Sequence, residues 1–224
     1  MNTSVFARLV AKDLYLYRWF ALFGTLAGLA TLPLMGAGSG MIVTLGVIGF
    51  ITNIIVTGVF IVMFGLFKER QEKSLLFVLS LPVSPVQAMA AKLAASLIGF
   101  LVPWVVLTLV PVVLTASSSA LPDGDIPHFV TMMAFFLANF CVLLALVAVS
   151  PSERWAIAAL ILTNIAASFF VVLLPQLPGI AEYRQAEVAT WNTTALALVG
   201  ACFAVSVMVP LLALWVLSRK RDWV

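Results

Sequence analysis

Long apolar runs broken by short polar segments dominate this chain. Between Arg18 and Lys68 there is no Asp, Glu, Lys or Arg, an interval of 49 residues. At about 1.5 Å per residue that is too much helix for one crossing of a hydrocarbon layer about 30 Å thick. The Gly-rich stretch 35–40 divides it and predicts two spans, near 19–35 and 41–67. Residues 74–91 approach spanning length but contain prolines at 82 and 85, which predict a short segment, a bend and a new helix beginning near Pro85. The remaining runs predict spans near 93–115, 129–149, 155–174 and 193–217, six in all.

Composition excludes the alternative of a soluble domain. The chain has 224 residues, 63% hydrophobic and 9% charged, whereas soluble domains carry about 25% charge. The expected fold is an all-α, polytopic membrane protein. Cys141 and Cys202 lie in apolar runs and are expected to act as small hydrophobes. The N-terminus lacks the layout of a cleaved signal peptide, so it is expected to remain in the mature chain.

The few charges orient the spans. With both termini cytoplasmic, eleven of the twelve basic residues fall on the inner side and only Arg184 falls outside, as the positive-inside bias requires. In residues 1–18, Phe6, Leu9, Val10 and Leu14 recur at helical spacing while Arg8 and Lys12 fall on another face; Asp13 interrupts the scheme. This predicts an amphipathic interfacial helix over 1–18, ahead of a six-span domain over 19–224. Residues 175–192 are too polar to cross and are expected as short helices at the outer surface. The expected location is the cell membrane, as in a bacterial cytoplasmic membrane.

Between spans two and three, residues 68–92 combine a charged cluster, a short apolar stretch and a proline-set bend. Glu72, Lys73, Ser74, Leu75, Leu76, then Leu81, Pro82, Val83, Ser84 and later Lys92 make this segment resemble the first cytoplasmic loop of the ABC-2 type transporter permease family. Six spans, an interfacial N-terminal helix and surface helices between spans five and six extend the likeness over nearly the whole chain. Ser74 stands where the family often has Gly, and Pro85 where it often has Arg.

The resemblance implies a permease subunit of an exporter. It implies two copies of a cytoplasmic ATP-binding cassette ATPase as partners, a second permease copy as in a homodimer, and contact with membrane lipid. Lys68, Glu69, Arg70, Glu72, Lys73, Leu76, Leu81, Pro82 and Ser84 would belong to the coupling segment, with Glu153 and Arg154 as a second contact. The chain has no GxxxxGK(S/T) phosphate loop. No cofactor is therefore expected on it, MgATP is expected on the partner ATPase, and the chain alone is not expected to be an enzyme. No nucleic-acid partner is expected.

Uncharged polar residues inside the spans are the remaining candidates for a substrate cavity: Asn53, Asn139 and Asn164, with Trp104 as an aromatic wall. Each has an ordinary alternative as an interhelical hydrogen-bonder or interfacial anchor. Gly24 with Gly28 has the GxxxG spacing of a close helix contact and could serve a homodimer; Gly36 with Gly40 has the same spacing in a turn. His128, the sole histidine, is expected as an isolated surface residue. A proton-driven carrier fits poorly, since no acidic residue falls within a predicted span. The competing reading of another class is a non-transporting membrane scaffold or regulatory assembly subunit.

Overall fold

The computed structural model describes residues 3–37, 40–67, 84–117, 122–150, 152–184 and 186–219. Six of its helices are long and apolar enough to cross a membrane. They are α1 (Thr3–Met35), α2 (Gly40–Val62), α3 (Pro85–Ser117), α4 (Asp125–Val149), α5 (Glu153–Leu173) and α6 (Thr193–Arg219). A π-helical turn, Met63–Phe67, continues α2, and two 3-10 turns, Leu174–Gln176 and Ala181–Tyr183, lie between α5 and α6. The chain is a multi-pass, all-α membrane protein.

Residues 3–18 and the first span form no separate elements, since α1 runs unbroken from Thr3 to Met35. Nothing between Leu14 and Ala21 can end a helix there: the stretch has no Gly, no Pro and no capping residue. At 33 residues α1 is about 50 Å long, some 20 Å more than a hydrocarbon core needs. Its polar first turns therefore extend past the apolar layer, and α1 is the least buried span. At the other proline-marked boundary the sequence gives a sharp start. Pro85 opens α3 with its fixed φ and missing N–H, and the Gln87 amide donates to the Ser84 hydroxyl at 3.3 Å, which makes Ser84 the N-cap.

α4 forms the core. In its most apolar stretch 72% of residues are buried, against a third or less in every other span. It packs against α2, α3, α5 and α6, while α1 lies outside on α2 and α3. Stacked rings mark these seams, with Phe100 over Phe140 at 4.0 Å between α3 and α4 and Phe135 over Phe170 at 3.8 Å between α4 and α5. Lipid gives no hydrophobic drive between helices, so such contacts and close backbone approach must hold the bundle.

Glycine permits that approach on α1. A Cβ on Gly24 would overlap the Thr57 hydroxyl, and one on Gly28 would come within 2.6 Å of Leu107 and 2.7 Å of Asn53. On α2, Gly46 meets the Leu34–Met35 backbone and Gly49 meets Thr31. The Gly24/Gly28 spacing is therefore spent on α2 and α3 of the same chain, and not on an outward seam. Asn53 Nδ2 donates to the Gly24 carbonyl at 2.8 Å across the same contact.

Aromatic side chains mark the basic end. Arg18 lies 3.7 Å from the Tyr15 ring centroid and Arg219 lies 4.0 Å from that of Trp215. Trp19, Trp155 and Trp215 are exposed there, the arrangement expected where rings sit at headgroup depth.

Candidate functional site

Of the residues expected in the coupling segment, Lys68, Glu69, Arg70, Glu72, Lys73, Leu76, Leu81 and Pro82 lie outside the described residues. Ser84 is exposed at the start of α3, and Glu153 and Arg154 are exposed in the first turn of α5. Glu153 there complements the partial positive charge of the helix N-terminus. The described flank of the segment is more informative. It holds a buried polar cluster that sequence reasoning missed.

Asp13 and Lys92 form this cluster, with side chains 4% and 5% exposed and Lys92 Nζ 3.9 Å from Asp13 Oδ2. Lys12, half exposed, lies 3.4 Å from the other carboxylate oxygen. One turn further along α1, Tyr17 is buried with its ring against Gly99, where a Cβ would come within 3.2 Å. The Tyr17 hydroxyl occupies the space a side chain at Gly65 of the π turn would need. Ser96, one turn beyond Lys92, is fully buried, and its hydroxyl has no hydrogen-bond partner among the described residues. The clue was Asp13 itself, which shares the helical face of Phe6, Val10 and Tyr17, a face turned inward. An acidic residue thus does lie in a helix that crosses, contrary to expectation, because α1 does not stop at residue 18.

The four residues expected to line one cavity do not share it. Asn53 is engaged with Gly24, as described above. Trp104 Nε1 donates to the Met133 carbonyl at 2.7 Å and its ring meets Phe203 edge-on, so it joins α3 to α4 and α6 at mid-span. Asn139 and Asn164 do come together, with Thr163, in a cleft walled by Phe100, Phe136 and Phe140 that has room for about 20 Å³, one water at most. Asn139 and Thr163 also face a second groove, between α4, α5 and α6, of about 450 Å³, within the usual range of ligand sites. Its other walls, among them Val142, Leu162, Cys202 and Val205, are almost wholly apolar. Asn164 satisfies itself on the Leu160 carbonyl at 2.8 Å and Thr163 on that of Ala159 at 2.9 Å. The Asn139 amide makes no hydrogen bond among the described residues and is the polar group this groove offers.

Compared with protein-family models, curated proteins and solved structures, the chain matches none.

At the opposite end, residues 175–192 carry two 3-10 turns clamped onto α4. Arg184 Nε donates to Asp125 Oδ1 at 2.7 Å, and His128 Nδ1 lies 3.5 Å from the same oxygen. His128 is 13% exposed and is not the isolated surface histidine expected; its i, i+3 spacing from Asp125 brings the two together. The Gly124 amide donates to the Ala186 carbonyl at 2.9 Å, and Asn192 both holds the Gly179 carbonyl and accepts from the Ala195 amide at 2.9 Å. Gly179 has φ +83°, a conformation that favours glycine. Among the described residues no group of three or more potential metal ligands occurs.

The clamp leads to a ranking. Asp125 and Arg184 are each more than a third exposed, so Arg184→Ala should cost less than about 1 kcal/mol. Gly124→Ala should cost more, because its Cβ would overlap the Tyr183 carbonyl and come within 2.7 Å of that of Ala186. Limited proteolysis of residues 175–192 checks this, with faster cleavage expected for the Gly124 variant than for the Arg184 variant.

Proposed function

We propose that this chain is the transmembrane permease subunit of an ATP-binding cassette exporter of the ABC-2 type. Hydrolysis is supplied by two copies of a separate cytoplasmic ATPase, and two permease copies pair to form the pathway. The basic end of the bundle faces the cytoplasm. The chain itself performs no catalysis; it converts closure of the ATPase pair into a change between two helix packings.

The observation that carries this reading is the segment from Glu72 to Ser84, with its charged start, Leu-rich body and Pro-Val-Ser ending, set between the second and third of six spans. Support also comes from the clustering of basic and aromatic residues at one end of the bundle. A third support is the Asn139 amide at mid-span, since polar groups kept within the bilayer mark substrate paths more often than lipid-facing surface.

Co-expression with an ATP-binding cassette ATPase encoded beside it, followed by purification in mild detergent, tests the assignment. A stable complex with equal numbers of the two subunits is expected. A permease that never retains the ATPase, and never shows cargo-dependent activity, would instead indicate a scaffold.

A further inference from the structure

α1 and α3 run side by side in a fixed parallel register. Asp13 faces Lys92 and Gly28 faces Leu107 at the same sequence offset, so one alignment holds over four turns. At the basic end this register is secured by a charge pair from which water is almost excluded. Burying two opposite charges gains little over burying two apolar side chains, so packing alone gives no reason for Asp13 and Lys92. What such a pair adds is specificity, because sliding either helix parts Lys92 from Asp13.

The layer above the pair faces a third element. Tyr17 lies between Gly99 of α3 and Gly65 of the π turn, and both neighbours are residues without a side chain that would displace it. That turn continues α2, and π turns recur at functional positions. In the same layer the buried Ser96 hydroxyl has no partner among the described residues.

From this geometry we infer that Asp13, Lys92 and Tyr17 form a joint which binds α1 and α3 into one body and fastens that body to the end of α2. Movement imposed on the π turn at Met63–Phe67 is passed through Tyr17 to α1 and α3 together. The inference rests on the permease reading for its purpose, though the joint itself stands on the contacts alone. Asp13 and Lys92 are positioning residues in it and touch no cargo.

The test separates the two levels. In a background with Cys141 and Cys202 replaced by Ala, nitroxides are placed at the exposed positions Phe23 on α1 and Val102 on α3. Pulsed paramagnetic-resonance distances are recorded for the parent, for Asp13→Asn, for Lys92→Met and for the exchange D13K/K92D. One narrow distribution is expected for the parent, a broadened or double one for each neutralised variant, and return to the narrow one for the exchange. Single variants no broader than the parent, or an exchange as broad as the singles, would overturn the joint. Should a single variant not accumulate, the exchange alone decides.

With the ATPase bound, the singles should keep parent stoichiometry while permease-dependent ATP hydrolysis falls about tenfold, within the usual size of coupling between sites, and the exchange should restore it. Parent stoichiometry with unchanged hydrolysis in the singles would overturn the transmission role. A parent chain that never binds ATPase would defeat the permease reading while the distance measurement still decided the joint.

Discussion

Trp104→Ala should lower the stability of the detergent-solubilised protein by about 3 kcal/mol, the low end of the range for such truncations, because the ring is only partly buried. The indole fastens α3 to the central helix through its 2.7 Å hydrogen bond to the Met133 carbonyl, and its edge contact with Phe203 reaches α6. Three helices therefore lose a shared side chain at once. Trp104→Phe isolates the hydrogen bond and should cost about 0.6 to 1.7 kcal/mol, the measured span for interhelical bonds in lipid. Asn139→Leu serves as the contrast. Its amide makes no hydrogen bond among the described residues, so stability should move by less than about 0.5 kcal/mol. Unfolding by a denaturing detergent against a mild one gives all three values on one scale. A Trp104→Ala variant as stable as Asn139→Leu would mean that this residue faces lipid and joins nothing.

Gly28→Leu should be strongly damaging. A first carbon at this position already comes within 2.6 Å of Leu107, which is fully buried, and within 2.7 Å of the Asn53 amide, which is committed to Gly24. A leucine side chain there must displace Leu107 or Asn53, which hold the contacts of α1 with α3 and α2. Overpacking of this kind costs about 1 to 3 kcal/mol, and loss of the Asn53 bond adds to it. The expected result is a chain that fails to accumulate or unfolds at a much lower temperature. A glycine pair serving only a dimer seam would give a different outcome, a stable protomer that no longer pairs. Thermal unfolding and chemical cross-linking of the same sample distinguish the two.

The spans were legible because each is bounded by charges or by proline and glycine, and in lipid those residues fix helix ends with little help from packing. The start of α3 followed from the prolines at 82 and 85. Misplaced features depended instead on which helix lies beside which. Asp13 looked like a flaw in an interfacial helix until α3 brought Lys92 against it. Gly24 and Gly28 have a spacing that suits close approach to any helix, and only the packing of α1 on α2 and α3 shows which helix takes it. Asn53 and Trp104 looked equivalent to Asn139 in the sequence; their partners, Gly24 and Met133, lie on neighbouring helices. His128 lay three residues from Asp125, and that spacing on a helix could have signalled the pair.

The most direct test of the account is the rate of ATP hydrolysis by the assembled complex when residues 68–81 are replaced by a scrambled sequence of the same composition. The account predicts that hydrolysis no longer depends on the permease, while the chain still inserts and folds as a six-span protein. Unchanged assembly with the ATPase and unchanged coupling after scrambling would contradict it.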